Sequence, residues 1–77
     1  MTTLAQLPLH HLARVCHLRV EPELAQRLTA LGLRPDREVE VIRRGWLSGP
    51  LLIRAGTTEF MMRRDAADLI DVEPLDC

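Results

Sequence analysis

Leu24, Leu28 and Leu31 recur at steps of four and three residues, the spacing that stacks side chains on one face of a helix, while Glu23, Gln26 and Arg27 fall elsewhere around the turn. Pro22 suits a first helical turn, where its missing N–H had no partner, and Gly32 suits the left-handed residue that closes a helix. The pattern predicts a helix over Glu21–Leu31. Pro35-Asp36 then has turn chemistry, and the period changes to two: Val39 and Val41, with Arg43 next in the alternation, face one way, and Glu38, Glu40 and Ile42 face the other. The predicted core has the three leucines buried against Val15, Val39, Val41, Phe60 and Val72.

The same alternation marks the remaining elements. A short turn around Leu4–Leu9 leads into a half-buried strand over Leu12–Val20. The helix follows, then strands at Glu38–Arg44 and Leu51–Ala55, joined by a reversal rich in glycine and proline, Gly45–Pro50. Gly56-Thr57 turns into Thr58–Arg63, with Phe60 and Met62 on one side and Glu59, Met61 and Arg63 on the other. A single helical turn with Asp65 near its start leads to a last strand at Leu69–Glu73. Five short strands with one helix between the first and second predict a mainly β fold, a small, partly open barrel.

Length bounds this to one domain over residues 1–77, and a core in so short a chain rarely supplies more than roughly 3 to 5 kcal/mol of net stability. Apolar content of 47% and charged content of 27% are those of a globular protein. The formal net charge of −1 gives no global field toward phosphates or acidic lipid, although every cationic residue is arginine. The start lacks the basic lead and apolar stretch of an export signal, and no apolar run approaches the ~20 residues that span a bilayer. A cytoplasmic location without membrane insertion is expected. In that reducing compartment Cys16 and Cys77 are expected to stay unpaired.

His10, His11, Cys16 and His17 crowd one short stretch and are side chains that zinc and late transition metals favour. On a straight strand Cys16 and His17 point to opposite faces, and His11 lies about 20 Å from His17 at ~3.3 Å per residue. One ion could then be shared only through a bend near Leu12 or a ligand from a second chain, and solvated polar side chains or incidental capture of zinc or ferrous iron by His10, His11 and His17 are the plainer readings. The strand geometry also defeats a Cys-His nucleophile. The pairs Glu38/Glu40 and Asp65/Asp68 are spaced like solvated surfaces, and no glycine-rich phosphate loop exists, so no enzyme is expected. Arg43, Arg44, Arg63 and Arg64 form two basic pairs, but Trp46 and Phe60 are too few aromatics for a nucleic-acid stacking platform. Trp46, with Leu47 at the loop tip, either folds back over the barrel mouth as core or stands out as an anchor for a partner.

The succession of Arg27, Leu28, Leu31, Gly32, Leu33 and Pro35, closed by Gly56, Phe60, Met62, Arg63, Ala67, Ile70 and Val72, resembles the FeoA family of ferrous iron transport proteins. The likeness covers nearly the whole chain. The family pattern has Pro-Gly where this chain has Pro35-Asp36, and a glycine before the first strand, about where His10 sits. The resemblance implies an SH3-like barrel and a non-enzymatic accessory protein that needs no cofactor. Its implied partner is the membrane ferrous iron permease with its cytosolic GTPase domain. Arg43, Arg44, Trp46 and Leu47 are the expected contact, either with that partner or with a second copy in a homodimer. The rival is a metal- or DNA-linked regulatory module like the C-terminal SH3-like domain of iron-dependent repressors. Such repressors read DNA through an upstream helix-turn-helix, for which the segment before the first strand has no room, so this rival would act in trans.

Overall fold

The computed structural model describes residues 1–75, and of Ser48 the backbone alone. Within them lie strands β1 (Thr2–Thr3), β2 (Leu12–Leu18), β3 (Glu38–Arg44), β4 (Leu51–Ala55), β5 (Thr58–Met62) and β6 (Ile70–Pro74), with helices α1 (Pro22–Ala30) and α2 (Arg64–Ala67). The strands form one antiparallel sheet in the order β1-β6-β2-β3-β4-β5. It curls without closing, and β1 and β5 are its free edges. The partly open barrel with a helix between its first long strands is the predicted one. The strand count is six rather than five, because Thr2 and Thr3 pair with Val72 and Asp71 over a stretch too short to show an alternation. Among the described residues no helix is long and apolar enough to cross a membrane.

The end of α1 decides which leucines reach the core. Gly32 takes a φ of 100°, the Leu33 N–H donates to the Leu28 carbonyl at 2.9 Å, and the Gly32 N–H donates to that of Thr29 at 3.0 Å. These paired bonds satisfy carbonyls that the helix end leaves over, and they swing Leu33 back beneath Leu28. Leu33 is fully buried and Leu28 is 5% exposed, whereas Leu24 is half-buried and Leu31 is 38% exposed. The expectation that Leu31 joins the core is therefore corrected: it occupies the last turn, and the left-handed residue after it hands its inward place to Leu33.

The chain then enters β3 through a turn in which the Arg37 N–H donates to the Arg34 carbonyl at 3.2 Å, with Pro35 second and Asp36 third at a φ of 73°. This is the type II arrangement, whose third position favours glycine. His10 holds the equivalent place, φ 65°, in the turn from Pro8 to His11. Both positions where the family pattern carries glycine are thus left-handed, occupied here by two residue types that tolerate that region better than most.

Leu4, Ala5, Leu7, Leu33, Leu51 and Ile53 join Val15, Val39, Val41, Ile70 and Val72 in the core, so the N-terminal turn is a plug in the barrel. Phe60 packs against this cluster half-buried. Irregularities between Val15 and His17 and between Val41 and Arg43 break the pairing register and bend the sheet.

Candidate functional site

The second irregularity sets the chemistry at the barrel mouth. Ile42 is the extra residue, so the alternation reverses and Arg44, not Arg43, follows Val39 and Val41 inward, opposite the fully buried Leu51. Half-buried, Arg44 donates from its guanidinium to the Ala5 carbonyl at 2.9 Å and to the Leu7 carbonyl. It ties the plug to β3. Arg43 is exposed. The alternation read from sequence has these two arginines the other way round, because a bulge leaves no hydropathy signal.

Gly45–Pro50 joins β3 to β4. The Gly45 N–H donates to the Pro50 carbonyl at 2.8 Å, and the Gly49 N–H donates to that of Trp46 at 2.9 Å. A Cβ on Gly45 would lie 2.9 Å from the Pro50 oxygen, and one on Gly49 2.9 Å from the Trp46 oxygen, so both positions need glycine for space. Leu47 sits at a φ of 50°. The pinched loop turns its large side chains outward: Trp46 is 89% exposed and Leu47 91%. The tryptophan does not cover the core, which the plug already fills. Arg43, Trp46 and Leu47 thus share one projecting tip, and Arg44 lies beneath it.

The histidines are dispersed. His10 is exposed, with Nδ1 3.8 Å from a Glu40 carboxylate oxygen; His11 is exposed in its turn; His17 is exposed opposite Asp71. Among the described residues no three His, Cys, Asp or Glu side chains are placed to hold one ion. Cys16 is half-buried at the irregularity of β2, and Cys77 lies outside the described residues.

Two sets of ion pairs tie the outer surface. Arg54 donates to Glu59 at 2.8 Å and approaches Glu40 at 3.7 Å, a row across β3, β4 and β5. Arg19 grips Asp71, Nε–H to one oxygen at 3.0 Å and a terminal N–H to the other at 2.9 Å, and also donates to the Asp68 carbonyl. These hydrogen bonds, reinforced by the guanidinium charge and by His17, hold the Asp71 carboxyl below the ordinary aspartate value.

One further feature escapes the sequence reading. A groove of about 310 Å³ runs between α1 and β5, lined by Leu24, Leu28 and Leu31 on one side and Phe60, Met61 and Met62 on the other. Its sequence signal is Met61, an apolar residue on the polar side of its strand, 60% exposed.

The FeoA domain family matches residues 2–74. No curated protein matches the chain significantly in sequence. Among solved structures, the chain is similar to the FeoA protein from Chlorobium tepidum, 29% identical with a TM-score of 0.92 over 97% of this chain and 71% of that one. It is also similar to Stenotrophomonas maltophilia FeoA complexed with zinc, 34% identical with a TM-score of 0.77 over 95% of this chain and 91% of that one. That protein is described as a procaryotic SH3 domain protein and a candidate activating factor of bacterial ferrous iron transport. A manganese-dependent transcriptional repressor shares the fold at 18% identity and a TM-score of 0.82, over 95% of this chain and 41% of that one. By its match from end to end of the barrel, the chain belongs to the FeoA domain family of ferrous iron transport, with an SH3-like fold.

Proposed function

We propose that this chain is a non-enzymatic accessory protein of bacterial ferrous iron uptake, a cytoplasmic regulator that acts by contact with the membrane ferrous iron permease and its GTPase domain. The observation that carries the reading is the tip itself. Trp46 and Leu47 are two adjacent large apolar side chains, about nine-tenths exposed, on a loop held by two backbone hydrogen bonds. Solvating such a pair is unfavourable, and a loop already ordered loses little entropy on docking. Arg43 beside them adds the other residue type that most often dominates interfaces. Family membership and the activating role raised for the Stenotrophomonas protein support the choice of partner.

Metal is not required in this reading. Zinc or ferrous iron captured at His10, His11 or His17 would be a surface ion completed by a second copy of the chain, since one chain gathers no closed ligand set among its described residues. The reading as a DNA- or metal-linked regulator is supported by fold likeness to the repressors alone.

Calorimetric titration of the protein against the isolated GTPase domain, and separately against duplex DNA, tests the choice. Saturable binding to the GTPase domain and none to DNA is expected. Binding to DNA alone would replace this reading with the regulatory one.

A further inference from the structure

The free edge of β5 adjoins the groove beside α1. Met61 projects from one face of the strand, Phe60 and Met62 from the other, yet all three line the same groove. A depression bordered by both faces runs along the edge. The two-residue turn Gly56-Thr57 closes the β4–β5 hairpin at Ala55 and Thr58, with Ile53 opposite Phe60 and Leu51 opposite Met62. In such a hairpin the closing pair exchanges hydrogen bonds and the pattern alternates from there. The N–H and C=O groups of Phe60 and Met62 therefore turn toward β4, and those of Glu59 and Met61 point off the free edge, where Met61 adjoins the groove.

Two cations line the groove, Arg27 and Arg63, and no carboxylate does. Among the described residues neither guanidinium has a hydrogen-bond or ion-pair partner, a state they share with other arginines of the chain, so what sets these two apart is their place on the apolar groove. Apolar walls, unpaired strand amides and two uncompensated arginines coincide in one place.

We propose that β5 accepts an extended segment of a partner protein as an added strand, with an apolar side chain entering the groove and carboxylates on either side of it meeting Arg27 and Arg63. Main-chain hydrogen bonds would supply the pairing and the groove the selection, as in strand-addition recognition generally. A second copy is the poorer occupant. Of its β5 side chains Phe60 is packed against its core and Met62 is buried there, which leaves Met61 as the apolar one free to enter the groove, flanked on its own face by Glu59 and the cationic Arg63 rather than by two carboxylates. This surface is separate from the tip at Trp46 and stands or falls without it.

The test uses the full chain and a blocked six-residue peptide alternating valine and glutamate, followed by amide and methyl resonances. Saturable shifts at the Glu59 and Met61 amides and the Leu24 and Leu31 methyls are expected, with exchange of those two amides slowed. Replacing the glutamates by lysines, or N-methylating the peptide amides that would face β5, is expected to weaken binding at least tenfold. Met61→Pro, which removes an edge donor without disturbing the β4 pairing, is expected to do the same. Arg27→Gln with Arg63→Gln provides a variant that leaves the backbone alone, with at least fivefold weakening expected. Absence of shifts at millimolar peptide, equal binding of the lysine peptide, or shifts at the methyls alone would overturn the proposal. So would protection of the edge amides by raising the concentration of the chain itself, which would make a second copy the occupant.

Discussion

Arg44 gives two charge-assisted hydrogen bonds to the carbonyls of the N-terminal plug, whereas Arg43, one residue earlier, is exposed. Hydrogen bonds from charged groups contribute about 1.5 to 3 kcal/mol each, and exposed positions without such ties change stability by less than about 0.5. Arg44→Ala should therefore lower the free energy of unfolding by roughly 1.5 kcal/mol or more in denaturant titration, and Arg43→Ala should leave it nearly unchanged. Asp36 is a second residue whose backbone matters more than its side chain: it stands exposed at a φ of 73°. Asp36→Gly should raise stability by up to about 1 kcal/mol, because left-handed geometry costs an L-residue about that much, and Asp36→Val should lower it. Asp71 carries a pH dependence. Its folded-state value is depressed by Arg19, so its contribution to stability is present above the ordinary aspartate value, about pH 4, and is lost as pH falls through the lower folded value. Asp71→Asn should flatten the acid limb of the stability profile; an unchanged acid limb would assign that loss to other carboxylates.

At the scale of elements, α1 holds to the barrel chiefly through Leu28, and the turn after it through Leu33. Leu28→Ala should cost roughly 2 to 5 kcal/mol, as large-to-small changes in a core do, which is a large share of what so small a domain has. Leu31→Ala, at the groove rim, should cost less than about 1 kcal/mol; equal losses in the two melts would return Leu31 to the core. The position of α1 and of the long strands is legible in the sequence because their burial is one-sided, and one-sided burial writes a period of 3.6 or 2. What breaks the period is not legible. The reversal that sends Arg44 inward depends on a single unpaired residue, Ile42, and the exchange of Leu31 for Leu33 depends on the Gly32 conformation. The same holds at the candidate sites. Exposure of Trp46 follows from how closely the backbones at Gly45 and Gly49 approach their neighbours, and the β5 groove exists only because α1 stands off from a strand distant in the chain.

For the whole molecule, a sheet that curls around an N-terminal plug leaves the β3–β4 hairpin with no core to cover and presents its tip to solvent. Trp46 is the sole tryptophan, so the free protein should emit as a water-exposed indole, and docking of the tip should shift that emission to the blue. The central claim is that this tip is a contact surface for the permease's cytosolic region rather than part of the folded core. It is tested most directly by Trp46→Ala, with thermal melting and titration against the GTPase domain measured on the same preparation. The account predicts an unchanged melting temperature and a loss of about 2 kcal/mol or more in binding, roughly thirtyfold in affinity. A lowered melting temperature with undiminished affinity would contradict it and make the tryptophan a structural residue.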